Sequence, residues 1–175
     1  MTLKTLPARS ETLRAVIAEA DRRLDGHLPM DVEGVAENFG DELTLLGAFL
    51  LRWHARLSGR IEREILLDES ADLESAVVTA WRAAAADLPG VRAVLDRYRE
   101  LPLEPALAAA VARGTINEHA MLAVTAGLAA PHDASAARIG ARLEAQARAT
   151  YAVPPRERTR RRASFLGRLR SALAV

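Results

Sequence analysis

Between residues 43 and 65 the large apolar side chains Leu43, Leu46, Leu50, Trp53, Leu57, Ile61 and Ile65 recur at spacings of three and four. Only an α-helix gathers positions so spaced onto one face; on a strand they scatter to both. A stripe of about six turns needs cover along its whole length. The pattern therefore predicts a central helix packed by other helices, with Leu46, Leu50, Trp53 and Leu57 buried in the middle of the core.

The rest of the chain supplies the cover in the same currency. Half of the 175 residues are hydrophobic but only 4% are aromatic, so the core is built of Leu, Val and Ala. These residues, interspersed with Arg and Glu, lose little rotamer freedom in a helix, and the β-branched and aromatic runs that strands prefer are absent. The length suits one domain. The expectation is all-α: a single-domain bundle of six to seven helices with short loops over residues 1–153, followed by an arginine-rich tail over 154–175.

Local signals place the elements. A first helix is expected from about Ser10 to Asp25, with Gly26 as its left-handed stop. Asp31 is a candidate cap for a second stretch reaching about Leu67, in which Gly40-Asp41 marks a kink or a restart capped by Asp41. Asp72 opens a third helix that turns Val77, Ala80, Trp81, Ala84 and Leu88 inward. After Pro89-Gly90 a short helix carries Val91, Val94, Leu95 and Tyr98 and ends before Pro102. An Ala-rich helix is expected from Glu104 to Arg113. A boundary follows at Gly114, where Thr115 and Glu118 have the spacing of a capping box for a helix running to about Ala129. A last helix, Asp133 to Tyr151, meets Pro154-Pro155.

Several chemistries lack their residues. With no cysteine there is no thiol nucleophile, disulfide, zinc ribbon or iron–sulfur ligand set. The ten glycines never approach Gly-x-Gly-x-x-Gly or a phosphate loop, and Leu57-Ser58-Gly59 lacks the context of a nucleophile elbow. The carboxylates Asp68, Glu69, Asp72 and Glu74 fall at a helix end and the next helix start, where acids serve as caps. Ala110 and Gly114 have the small-residue spacing of a helix-turn-helix, but Asn117, Glu118 and His119 would make an acidic reading helix that phosphate repels; a plain helix–helix corner fits better.

Four histidines in a helical chain raise the question of a metal. Glu-x-x-His, the di-iron signature, does not occur: Leu51 precedes His54 by three and Ile116 precedes His119 by three. His54 reads as a locally bonded histidine on a helix flank, and His27 and His132 sit beside prolines in loops. A composite site from His54, His119, Glu62 and Glu118 is the arrangement on which a helical-bundle enzyme, or a metal- or small-molecule-binding protein, would rest.

Charge is segregated. Residues 156–175 hold seven of the 24 basic residues and one of the 23 acidic ones, a net of +6, which leaves the other 155 residues at −5. Arg156, Arg158, Arg160, Arg161 and Arg162 form a guanidinium-dense run suited to bidentate recognition of anions. Phe165, Leu166 and Leu169 then recur at helical spacing beside Arg168 and Arg170, the pattern of a short basic amphipathic helix. Its target is an acidic surface: a protein, an anionic membrane or a nucleic acid. The sequence thus points to a non-catalytic helical adaptor or accessory subunit that binds a protein partner through the bundle and an acidic surface through the tail. No cofactor is expected. With no run of apolar residues of signal-peptide or membrane-span length, the expected address is cytoplasmic, the tail allowing peripheral attachment to a membrane.

Overall fold

The computed structural model describes residues 5–67, 72–101 and 103–151. Among them are seven helices and no strand: α1 Thr5–Arg23, α2 Val35–Asn38, α3 Glu42–Leu67, α4 Leu73–Asp87, α5 Pro89–Glu100, α6 Pro105–Thr125 and α7 Ala136–Ala149. None is long and apolar enough to cross a membrane. The tail residues Arg156, Arg158, Arg160, Arg161, Arg162, Phe165, Leu166, Arg168, Leu169 and Arg170 lie outside the described residues, as do Asp68 and Glu69.

The central helix is α3. Leu46, Trp53 and Leu57 are wholly buried, and so are Leu45 and Phe49 beside them. Leu50 is only half-buried and Leu43 is 38% exposed, a correction to the expected stripe. The buried arc takes in Leu45 and Phe49 on one side, while Leu50 at its other edge lies against Gly114 of α6. α6 packs most extensively on α7, α4 on α3 and α7, and α1 on α5. Val77, Ala80, Trp81 and Ala84 of α4, Leu88 just beyond it, and Val91, Val94, Leu95 and Tyr98 of α5 face this core as their spacing requires.

Side-chain caps explain the starts of α3 and α4. The Asp41 carboxylate accepts the Thr44 N–H at 2.7 Å and restarts the chain as α3. Asp72 accepts from the N–H groups of Glu74 and Ser75 and opens α4. α1 stops at Arg23 because Leu24 turns to φ 47, before Gly26 at φ 75. Asp31 caps nothing: it takes a bidentate pair from Arg23 at 2.9 and 2.7 Å, and α2 starts instead from Gly34 at φ 83.

The expected break at Gly114 does not exist. α6 runs unbroken from Pro105 to Thr125, so neither a corner nor a helix-turn-helix forms there. Gly114 is small for packing rather than for turning, since a Cβ on it would stand 2.7 Å from Leu50 Cδ2. The supposed capping pair is used elsewhere, Thr115 by Arg99 and Glu118 by Trp81. Two other helical glycines mark closer crossings. A Cβ on Gly140 would lie 1.8 Å from the His119 carbonyl oxygen, and one on Gly90 2.2 Å from the Ala20 carbonyl carbon. Gly90 also donates its N–H to Asp21 Oδ1 at 2.7 Å, which ties the start of α5 to α1.

Candidate functional site

Two features of this bundle bear on function: a lattice of charges in its interior and a groove on its outer surface.

The lattice begins with two indoles. Trp53 and Trp81 meet edge to face at 5.7 Å between centroids, and Trp81 meets Tyr151 likewise at 6.0 Å. The guanidinium of Arg92, 2% exposed, lies 4.6 Å from the Trp53 ring centre, and that of Arg148 lies 4.8 Å from the Trp81 ring. Arg92, Asp96 and Arg99 are spaced i, i+4, i+7 along one face of α5, Glu118 and His119 come from α6, and Glu144 and Arg148 from one turn of α7. Helix packing brings these three short runs together.

Their contacts are dense. Glu118, 2% exposed, accepts the Trp81 Nε1–H at 2.9 Å and an Arg99 N–H at 3.0 Å. Glu144, 5% exposed, accepts from Arg99 and Arg148 and meets His119 Nε2 at 2.5 Å. Arg148 also grips both oxygens of Asp96, at 3.0 and 2.6 Å. Burial alone would push the Glu144 carboxyl up, but the His119 hydrogen bond and the charges of Arg99 and Arg148 outweigh it and hold it well below the usual carboxylate range. For Arg148, too, burial is outweighed, here by Asp96 and Glu144, so its guanidinium is held more firmly charged than usual.

Arg92 is held differently. It stands 2.9 Å from Asp96 Oδ1 and 3.6 Å from Glu118 Oε2, yet none of its three nitrogens is aligned for a hydrogen bond with a described residue. Coulomb attraction and the Trp53 face are its compensation. Burial lowers its pKa despite the nearby carboxylates, but a guanidinium keeps its proton at any working pH.

Chemically, three guanidinia and three carboxylates neutralise one another, with His119 joined to Glu144. A carboxylate held so firmly ionised is a poor general acid, and one whose lone pairs are spent on arginines is a poor base. What the lattice does well is fix rotation. Turning α5, α6 or α7 about its axis strands a buried charge, and that costs about 3–5 kcal/mol.

The composite arrangement of His54, His119, Glu62 and Glu118, on which the alternative reading rests, is not assembled among the described residues. His119 and Glu118 both enter the lattice, but through Glu144 and through Trp81 and Arg99 respectively. Glu62 is exposed about 12 Å further along α3 than His54. His54 is half-buried rather than bonded within its own helix. Its Nε2 has no hydrogen-bond partner among the described residues, burial lowers its pKa, and the Glu118 charge and the backbone of Gly114 on α6 partly offset that. No group of three or more His, Asp or Glu with metal-holding geometry occurs among the described residues.

Sequence reasoning passed over Arg92, Asp96, Arg99, Glu144 and Arg148. The signal was present as charged residues at i, i+4 spacing beside the apolar face of α5. The default reading, arginine toward solvent, hid it.

The outer feature is a groove of about 620 Å³ between α1 and α3, floored by Leu13, Phe39, Ala48 and Leu51. Leu51 is 71% exposed. Two further shallow depressions join it at Arg52, one running along α1 to Asp21 and the other along α3 to Arg63. Comparison with protein-family models, curated proteins and solved structures found no match.

Proposed function

We propose that this chain is a non-catalytic helical adaptor or accessory subunit, binding a protein partner through its body and an acidic surface through its arginine-rich tail. The observation that carries the reading is the α1–α3 groove: an apolar floor that no described residue covers, along α3, with the core beneath it already closed. The interior supports the same reading from the other side, since the lattice carboxylates are taken up by arginines and His119 and fix the rotation of α5, α6 and α7. A rigid body with an open apolar groove suits recognition.

The tail adds a second point of attachment. Six net positive charges within residues 156–175 favour association with acidic surfaces in a salt-dependent way, because binding releases or screens counterions. Its test compares the full chain with one ending at Val153. The probes are glutamate-rich peptide, phosphatidylglycerol vesicles and duplex DNA, each at low and high salt. Tail-dependent retention that fades with salt is expected on at least one of them, and Arg160→Gln, Arg161→Gln and Arg162→Gln together should weaken it without lowering the melting temperature. Loss of retention in Phe165→Ser with Leu169→Ser assigns the target to protein or membrane rather than to a phosphate backbone, which makes little use of apolar area. Equal retention of both chains on all three probes removes the tail from function.

A further inference from the structure

We propose that the α1–α3 groove seats an acidic amphipathic helix of a protein partner. The inference rests on the adaptor reading above and gives its body-side partner a chemistry.

Two glycines, Gly47 in the groove and Gly59 in its extension along α3, make the first argument. Gly47 and Gly59 lie inside α3, where glycine is the least favourable residue short of proline. Both are exposed, and a Cβ added to either would meet nothing within 4 Å. At Gly90 and Gly140 a neighbouring backbone excludes a side chain, and at Gly114 the end of the Leu50 side chain fills the space; Gly47 and Gly59 have no such neighbour within the described residues. Their smallness makes sense when a second backbone comes close to the outer face of α3.

Charge makes the second. Arg9, Arg14, Arg52, Arg56, Arg60 and Arg63 line the groove and its two extensions, against Asp21 as the sole acid among the lining residues, at the far end of α1. Arg60 is paired with Asp87, and Arg56 lies 3.8 Å from the same carboxylate. Arg52 and Arg63 have no ion pair among the described residues. Charge complementarity therefore favours an acidic occupant and disfavours the chain's own basic tail. The apolar floor runs about 17 Å along α3, from Thr44 to Ala55, and the arginine-lined extension carries the surface on to Arg63, about 29 Å in all; an apolar floor flanked by charge is how proteins receive one face of an amphipathic helix.

The test is selection on the full-length chain from a library of helix-forming peptides of about 18 residues, long enough to span the groove. Leucine is fixed at i, i+3, i+7 and i+10, and the remaining positions vary among Glu, Lys, Gln and Ala. Enriched peptides should be acidic. Leu51→Glu places a charge on the apolar floor at an exposed position and should weaken them by about tenfold or more, with the melting temperature unchanged. Gly47→Ala with Gly59→Ala should weaken the same peptides while raising the melting temperature, a pair of changes that damage to the fold cannot produce.

Enrichment of basic or neutral peptides overturns the proposal. So does vesicle binding, or self-association of the free chain, that Leu51→Glu abolishes; these would assign the groove to lipid or to a second copy. Acidic binders indifferent to Leu51→Glu overturn the groove but leave the adaptor reading standing, with its site elsewhere on the body. An absence of binders overturns the groove and the body-side half of that reading together, while the tail experiment decides the other half.

Discussion

The crossing of α6 and α7 and the outer face of α3 both depend on glycine, and they use it for opposite ends. At the crossing, Gly140 lets two backbones touch at His119, and the same approach brings Glu144 to Arg99 and His119. On α3, Gly47 and Gly59 face open space. One region spends helix propensity on contacts inside the molecule and the other spends it on none among the described residues. A residue that weakens an element therefore has to be judged by what surrounds it before it is called a cap, a hinge or a packing device.

The largest expected effect strikes the crossing's ionic side. Glu118→Ala leaves the Trp81 indole N–H, Arg99 and Arg92 without their shared carboxylate, and should cost about 3–5 kcal/mol in urea unfolding. A loss under about 1 kcal/mol, the range of exposed pairs, would show that water relieves the stranded charges and that the lattice does not set helix rotation.

Next comes the glycine contrast itself. Gly140→Ala drives a methyl into the His119 backbone, which no rotamer change relieves, and should destabilise by about 3 kcal/mol, the upper range for overpacking. Gly59→Ala should instead stabilise by roughly 0.5–1 kcal/mol, the helix-propensity difference. Equal signs for the two substitutions would erase the distinction between the regions.

A smaller effect comes with acid. Burial holds the folded-state pKa of His54 below its ordinary 6.5, so the unfolded chain takes up its proton first. The stability from this group is complete above about pH 6.5 and is lost as pH falls from there through the folded value. His54→Gln should flatten the melting-temperature profile over that window. The Glu144 contribution follows the same sign at lower pH: present above its ordinary 4.5 and lost as pH falls below it. The two losses should separate in a profile taken from pH 7.5 to 3.

Much of the fold was legible because its signals are local. Asp41 and Asp72 announce helix starts through their own backbone neighbours, and Leu46, Trp53 and Leu57 declare a buried face by spacing alone. Gly114 was misread because stopping a helix and admitting a neighbour's side chain demand the same residue, and the deciding atom, Leu50 Cδ2, belongs to another helix. Leu45 and Phe49 were overlooked because spacing gives the period of a stripe but not the width that two flanking helices cover. The ionic lattice was the least legible part. Each arginine lies on an amphipathic helix where solvent is the ordinary assumption, and only the relative rotation of α5, α6 and α7 turns it inward.

The paired indoles have an optical consequence. Trp53 and Trp81 are the only tryptophans in the chain, both are shielded from water, and each lies against a guanidinium, with the Tyr151 ring close enough to Trp81 to pass excitation to it. Intrinsic emission should therefore be blue and report only on the sealed interior. A ligand settling on the outside of α3 would leave its colour unchanged, whereas any opening of the helices would redden it, so the unlabelled protein can tell docking from unfolding in a single cuvette.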